Sequence, residues 1–211
     1  MFKITDTREP KRVEKNIPKL VIEFFKNKDR RLSYIASGGI NFWWGFIYIF
    51  IPIFIIESGF SDLILGVFLC AVIIPLIIFS YHFGKLTCKI GFKKIAFFGY
   101  LIIAFFAFAS FFAGTPVIVL ILLVFASIGG AMVESPSEAY FFDIIKKDQR
   151  EKFYGIYNTT IDVNNLLASF LGAIILLFLS FKFVFLFFGF VMLCISLISL
   201  RLRNVIEARR K

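Results

Sequence analysis

Residues 131–165 read AMVESPSEAYFFDIIKKDQREKFYGIYNTTIDVNN, two stretches with apolar flanks that are joined by a short charged loop. If the two stretches form an antiparallel helical hairpin centred on Asp148, Glu134 and Asp162 lie at equal heights, because each is fourteen residues from the centre. At about 1.5 Å per residue, both acids lie roughly 15–18 Å from the nearest loop lysine. This depth is close to the middle of a hydrocarbon layer about 30 Å thick. The stretch therefore predicts a transmembrane hairpin that carries acids.

The rest of the chain has the composition of a polytopic membrane protein. Of its 211 residues, 59% are hydrophobic, and the mean hydropathy is +0.86. Apolar runs of about twenty residues are long enough to cross a bilayer as helices. The predicted spans are residues 35–56, 63–83, 93–113, 116–143, 154–180 and 182–200. The expected fold is thus an all-α membrane protein with a six-helix transmembrane bundle. No cleavable signal is expected, because the basic leader is long and the first apolar run is a full span.

Basic residues are confined to one side of these spans. The leader, the loops at 84–94 and 144–153 and the C-terminal tail hold 23 of the 24 Lys and Arg, and only Lys182 lies in the other turns. The positive-inside rule therefore places both termini in the cytoplasm. The net charge of +10 is explained by the basic segments on the cytoplasmic side of the predicted spans, so it does not indicate a nucleic-acid partner.

The spans divide the chain into three segments. These are a basic cytoplasmic leader (1–33), a transmembrane domain (34–200) and a basic cytoplasmic tail (201–211). In the leader, five apolar residues fall on one helical face: Ile17, Leu20, Val21, Phe24 and Phe25. This spacing predicts an amphipathic helix on the membrane surface, with its lysines toward anionic headgroups. A disordered basic tail is the alternative.

Polar and small residues inside the spans form two stripes. The fourth span has Gly130, Glu134 and Glu138 at steps of four residues. The fifth span repeats polar or small residues at steps of three or four, at Asn158, Asp162, Asn165, Ser169 and Gly172. Because polar groups avoid lipid, we expect the stripes to face each other or a shared cavity. The candidate substrate- or proton-binding residues are Glu134, Asp162, Glu138, Asn158, Asn165 and Asn41.

Lys and Arg occur only at the ends of the spans, so the intramembrane acids have no evident partner within the chain. They are therefore either protonated or ionised against water, a transported cation or a second protein. A structural role stays open for Glu138, which lies near the cytoplasmic face, and for the asparagines, which can join helices.

No catalytic or metal-binding pattern occurs in the sequence. The single histidine is distant from the acids, and the three cysteines lack ligand or disulfide spacing. We therefore expect no enzyme activity, no cofactor and no metal site.

Residues 84–94, GKLTCKIGFKK, resemble the cytoplasmic motif Gly-x-x-x-Asp-(Arg/Lys)-x-Gly-(Arg/Lys)-(Arg/Lys) of the major facilitator superfamily of secondary transporters. The matching residues are Gly84, Lys89, Gly91 and Lys93. Cys88 stands in place of the Asp, and Phe92 in place of the first residue of the closing basic pair. A second pattern is similar to that family's helix 4–loop–helix 5, or to its copy in helices 10 and 11. Its residues are Pro136, Ala139, Asp143, Arg150, Tyr154, Gly155, Asn158 and Thr159.

The resemblance implies a transporter fold of twelve helices in two halves, of which this chain looks like the C-terminal half, helices 7–12. It implies a gating role for the motif at 84–94 and a loop-ordering role for Asp143 and Arg150. The implied function is transport of a small solute across the cell membrane by alternating access, with proton coupling as one hypothesis. A second six-helix half, as a homodimer or a separate chain, is the expected partner. The alternative is a non-transporting scaffold or assembly subunit, or the product of a truncated transporter gene.

Overall fold

The computed structural model describes residues 16–205, which are almost entirely helical. The helices are α1 (Ile17–Lys26), α2 (Lys28–Glu57), α3 (Asp62–Ile90), α4 (Phe92–Phe112), α5 (Pro116–Ile144), α6 (Arg150–Asn158), α7 (Thr160–Phe178) and α8 (Phe181–Ser199), with a 3-10 turn at Lys147–Gln149. Within residues 16–205, six helical segments are long and apolar enough to cross a membrane: α2, α3, α4, α5, the α6–α7 segment and α8. The predicted all-α fold with six spans is thereby confirmed. The cytoplasmic placement of the termini stays a prediction.

Helix ends follow local sequence signals. α2 begins at Lys28, earlier than the predicted span, because the Asn27 side chain accepts a hydrogen bond from the Arg30 backbone N–H at 3.1 Å. α3 continues to Ile90, so the predicted loop at 84–94 is reduced to a turn at Gly91. Gly91 has a φ of +86°, which favours glycine, and a side chain there would also collide with Asn204.

The fifth span is broken, although its pattern predicted one continuous helix. The break lies at Thr159, between α6 and α7. The Thr159 hydroxyl donates to the Ile156 carbonyl at 2.7 Å and lies 3.0 Å from the Tyr34 hydroxyl. Such side-chain bonds compete with the regular helix ladder. As a result, Asn158 ends one helix and Asp162 lies in the first turn of the next.

Reciprocal contacts relate the first three spans to the last three. α2 packs against α7 as α5 packs against α3, and α4 packs against α8. α2 and α5 also contact each other, and 56% of the residues in the apolar segment of each are buried. The corresponding shares are 17% for α3 and 11% for α6–α7. α2 and α5 therefore form the interior, and α3 and α7 lie at the edges of the bundle.

The leader helix α1 packs against the protein. Phe24 is fully buried in a cluster with Phe141 and Phe153, which come from α5 and α6. Lys152 forms an ion pair with Glu23 at 2.6 Å. Part of the apolar face of α1 thus faces α5 and α6. The position of this helix on the membrane surface stays a prediction. Residues 1–15 of the leader and 206–211 of the tail lie outside the described residues.

Phe24→Ala is expected to release α1 from α5 and α6. Truncating a fully buried Phe costs about 3–5 kcal/mol, most of it here from the docking of this one helix. Hydrogen exchange of the α1 amides should accelerate in this variant. Ile22→Ala is the matched control, because Ile22 lies on the same helix with 57% of its surface exposed. Equal exchange rates in the two variants would contradict the docked position of α1.

Candidate functional site

A polar cavity of about 230 Å³ lies between α2, α5, α6 and the start of α7. Four of the six predicted binding residues line it: Asn41, Glu134, Glu138 and Asn158. Ser37 and the tyrosines Tyr154 and Tyr157 complete much of its polar wall. The structure therefore brings the stripe of α5 together with polar groups of α2 and α6.

Glu134 is held by a tryptophan of the first span. The Trp44 indole N–H donates to Oε2 of Glu134 at 2.8 Å. Trp44 is almost fully buried and stacks on Tyr48, with ring centroids 5.4 Å apart, so the donor has a defined position. Because the indole is neutral, this bond orients the carboxyl group without cancelling its charge.

Glu138 is held in the same way by a tyrosine of α6. The Tyr154 hydroxyl donates to Oε1 of Glu138 at 2.8 Å, and its ring stacks on Phe142. Glu138 and Asn158 each lie ten residues from Asp148 and would be at equal heights in a regular hairpin. The structure places Asn158 in the wall of the same cavity and makes Tyr154 the hydrogen-bond partner.

Two hydrogen bonds join α2 to the broken fifth span at the cavity. The hydroxyls of Ser37 and Tyr157 are 2.5 Å apart, and the Asn41 amide donates to the Thr160 hydroxyl at 3.4 Å. Tyr157 also stacks on Phe141, with centroids 3.9 Å apart. Tyr157 therefore belongs both to the cavity wall and to the aromatic cluster that holds α1. A movement of α6 would alter both.

The described wall of the cavity contains two acidic residues, Glu134 and Glu138, and no basic residue. Glu134 and Glu138 are one helical turn apart, and like charges at this spacing repel. The ion pairs formed within residues 16–205 lie elsewhere, between Lys152 and Glu23 and between Arg203 and Asp29. A bound proton or cation would relieve the repulsion. In the same part of the chain, no group of three or more His, Cys, Asp or Glu is placed to hold a metal ion.

The stripe on α7 faces a different helix from the one expected. Because α7 packs against α2, Asn165 lies beside Gly45 and Gly172 lies beside Phe50. Of the two predicted arrangements, the one in which the stripes face each other is therefore wrong for this part of the stripe. Asn158, at the start of the stripe, does share a cavity with Glu134 and Glu138. Asp162 is exposed in the first turn of α7 and is not among the residues that line the cavity.

The motif at 84–94 approaches α5 through Gly84 in the last turns of α3. Gly84 lies against Ser135, and a smaller cavity of about 120 Å³ has both Cys88 and Asp143 in its wall. Lys89 is exposed near the end of α3, and Lys93 is half-buried in the first turn of α4. Their gating role stays a prediction.

Arg150 lies at the start of α6, on the other side of the charged loop from Asp143. Its guanidinium donates to the Phe142 carbonyl at 2.8 Å and lies 5.4 Å from the centroid of the Phe142 ring. It therefore contacts the last turns of α5, and its loop-ordering role stays a prediction.

None of the three aromatic residues that complete the site was among the predicted binding residues. They are Trp44, Tyr154 and Tyr157. Tyr154 lies four residues before Asn158, so extending the polar stripe of the fifth span by one turn would have included it. No comparable local signal indicates that Trp44 meets Glu134, because ninety residues separate them along the chain.

Comparison with known proteins agrees with this architecture. The sequence matches the family model described as Major Facilitator Superfamily over residues 7–211, which is nearly the whole chain. A search of curated proteins finds no match.

Proposed function

This chain belongs to the major facilitator superfamily, and on that premise we propose that its six spans form one half of a secondary active transporter. It is a multi-pass membrane protein of a family of transporters. The observation that carries the finer proposal is the cavity in which two acids of a membrane helix are held by neutral donors. Alternating access would open this cavity to each side of the membrane in turn. We place the transporter in the plasma membrane, with both termini in the cytoplasm.

We propose that Glu134 and Glu138 are the exchange sites for a proton or a cation. A charged side chain within a membrane is costly unless it faces a water-filled cavity or a partner group. Acids found there therefore commonly belong to an ion or substrate pathway. Asn41 and Asn158 lie in the same wall and offer uncharged hydrogen-bonding groups to a solute. Asp162 is a third candidate exchange site, although it is exposed outside this cavity.

A second six-helix half is proposed to complete the solute pathway, either as a homodimer or as a separate chain. Glu134 and Glu138 are exposed in the single chain, and exposure to lipid would be unfavourable for both. α3 and α7 present large apolar side chains that are largely uncovered, such as Ile77 and Leu166. Native mass spectrometry of the protein released from nanodiscs would distinguish the two cases, because a homodimer has twice the mass of one chain.

Reconstitution into proteoliposomes tests the function. The vesicles carry a pH gradient and an internal pH dye, and a panel of small cations, anions and neutral compounds is added one at a time. We expect at least one of these solutes to change the internal pH, because its transport is coupled to proton movement. Collapsing the gradient with an ionophore should stop the movement. A folded protein that moves no solute and only binds other membrane proteins would support the alternative of a scaffold or assembly subunit.

A further inference from the structure

The charge of the cavity wall indicates which solutes it can accept. Glu134 and Glu138 contribute two carboxyl groups, and none of the described residues that line the cavity is Lys, Arg or His. From this arrangement we propose that the cavity binds a small organic ammonium ion with a single positive charge and a compact apolar body. The inference rests on the proposed transport function and specifies the substrate class of the same site.

Each acid has one carboxyl oxygen engaged by a neutral donor. Trp44 binds Oε2 of Glu134, and Tyr154 binds Oε1 of Glu138. A carboxylate accepts several hydrogen bonds, so each acid keeps acceptor capacity for the N–H groups of a ligand. Bonds between an ammonium group and a carboxylate are charge-assisted and are stronger than bonds between neutral groups. The aromatic donors thus fix the two acceptors in place without providing the positive charge.

The count of charges fits a monocation and one proton. Two ionised carboxylates on adjacent turns need two positive charges for balance. A singly charged ammonium ion balances one of them, and a proton on the other carboxyl balances the second. The same two residues therefore provide both the binding site for the cation and the site for the coupled proton. An anion would instead be repelled by both acids.

The cavity offers room and a partly apolar wall for the body of the ligand. A volume of about 230 Å³ corresponds to about seven or eight water molecules. The rings of Tyr154 and Tyr157 and the side chains of Ile40 and Ile161 supply aromatic and apolar wall. Tyrosine ring faces also attract organic cations.

Three probes of similar shape and different charge test this proposal. Phenethylamine is a cation, phenylacetate an anion and 2-phenylethanol neutral at pH 7. Titration calorimetry of the full chain in nanodiscs should show binding of phenethylamine, with at least about tenfold weaker binding of the other two. Equal affinity for the alcohol, preference for the anion or no binding of the amine would each overturn the proposal. This comparison uses only the wild-type chain and does not depend on the folding of any variant.

Substitution then locates the site. The double variant Glu134→Gln/Glu138→Gln should lose at least about tenfold in phenethylamine affinity. Glu57→Gln, an identical change at an exposed acid at the end of α2, should leave the affinity unchanged. Unchanged amine binding in the double variant would overturn the assignment to this cavity.

Measurements of binding and of flux distinguish failure of the proposed substrate class from failure of the proposed transport function. Acid-dependent amine binding without flux would contradict transport while supporting the site. Proton-coupled flux of another solute without amine binding would contradict the substrate class while supporting transport.

Discussion

Glu134→Gln is expected to reduce the initial rate of gradient-driven transport by at least about tenfold, equivalent to about 1.4 kcal/mol. Glutamine keeps the size of the side chain and an oxygen that can accept the hydrogen bond from Trp44. It cannot release a proton or carry the negative charge that balances a cation. The variant should therefore keep its fold while losing exchange. Flux in proteoliposomes measures the loss of exchange, and thermal unfolding in detergent checks that the fold is kept.

Matched variants make this test specific. Glu57→Gln carries the same change at an exposed position and should transport at the wild-type rate. Asp162→Asn should have a smaller effect than Glu134→Gln, because Asp162 lies outside the lining of the cavity. If flux is unchanged in Glu134→Gln, Glu138→Gln and Asp162→Asn, the acids have no part in the mechanism.

Gly129→Ala is expected to destabilise the bundle by about 1–3 kcal/mol, because it adds a methyl group where two backbones meet. A Cβ at position 129 would overlap the carbonyl oxygen of Gly99 and approach Cγ1 of Ile103 to 2.9 Å. A Cβ at Gly99 would in turn lie 2.9 Å from the carbonyl oxygen of Gly129. The two carbonyl oxygens belong to the backbones of α4 and α5, so relief requires the helices to separate. Gly129→Leu should prevent the native bundle from forming.

Gly66→Ala is the control for this substitution. Gly66 lies in α3, and a Cβ added there would meet no atom within 4 Å. Alanine has a higher helix propensity than glycine, by about 0.8–1.0 kcal/mol, so this variant should be as stable as the wild type or slightly more stable. The thermal midpoint in detergent should fall by several degrees for Gly129→Ala alone. Equal midpoints for the two variants would contradict the close contact between α4 and α5.

Much of the fold could be predicted because the signals are local. A run of about twenty apolar residues is sufficient to identify a span, and all six predicted spans correspond to membrane-length helical segments. The motif residues Gly84 and Gly91 indicated the family, which the match over residues 7–211 shows. Helix ends were less predictable, since the start of α2 and the break at Thr159 depend on side-chain hydrogen bonds.

The candidate site was predicted only in part. The spacing of Glu134 and Glu138 places both acids on one face of α5, and the structure puts both in one cavity. Asn165 shows the limit of this reasoning. It follows Asp162 at helical spacing, yet it lies against α2 beside Gly45, because a stripe does not specify which helix it meets.

The sequence by itself determined the number of spans and the uneven distribution of basic residues. Each of these depends on the transfer of neighbouring residues between water and lipid, which hydropathy and charge along the chain describe directly. Only the tertiary structure decided that α7 packs against α2, that α1 docks on α5 and α6, and that Trp44 holds Glu134. In lipid, helices associate through the fit of their surfaces, such as the contact between Gly99 and Gly129. That fit joins residues far apart in the chain, so no local pattern contains it.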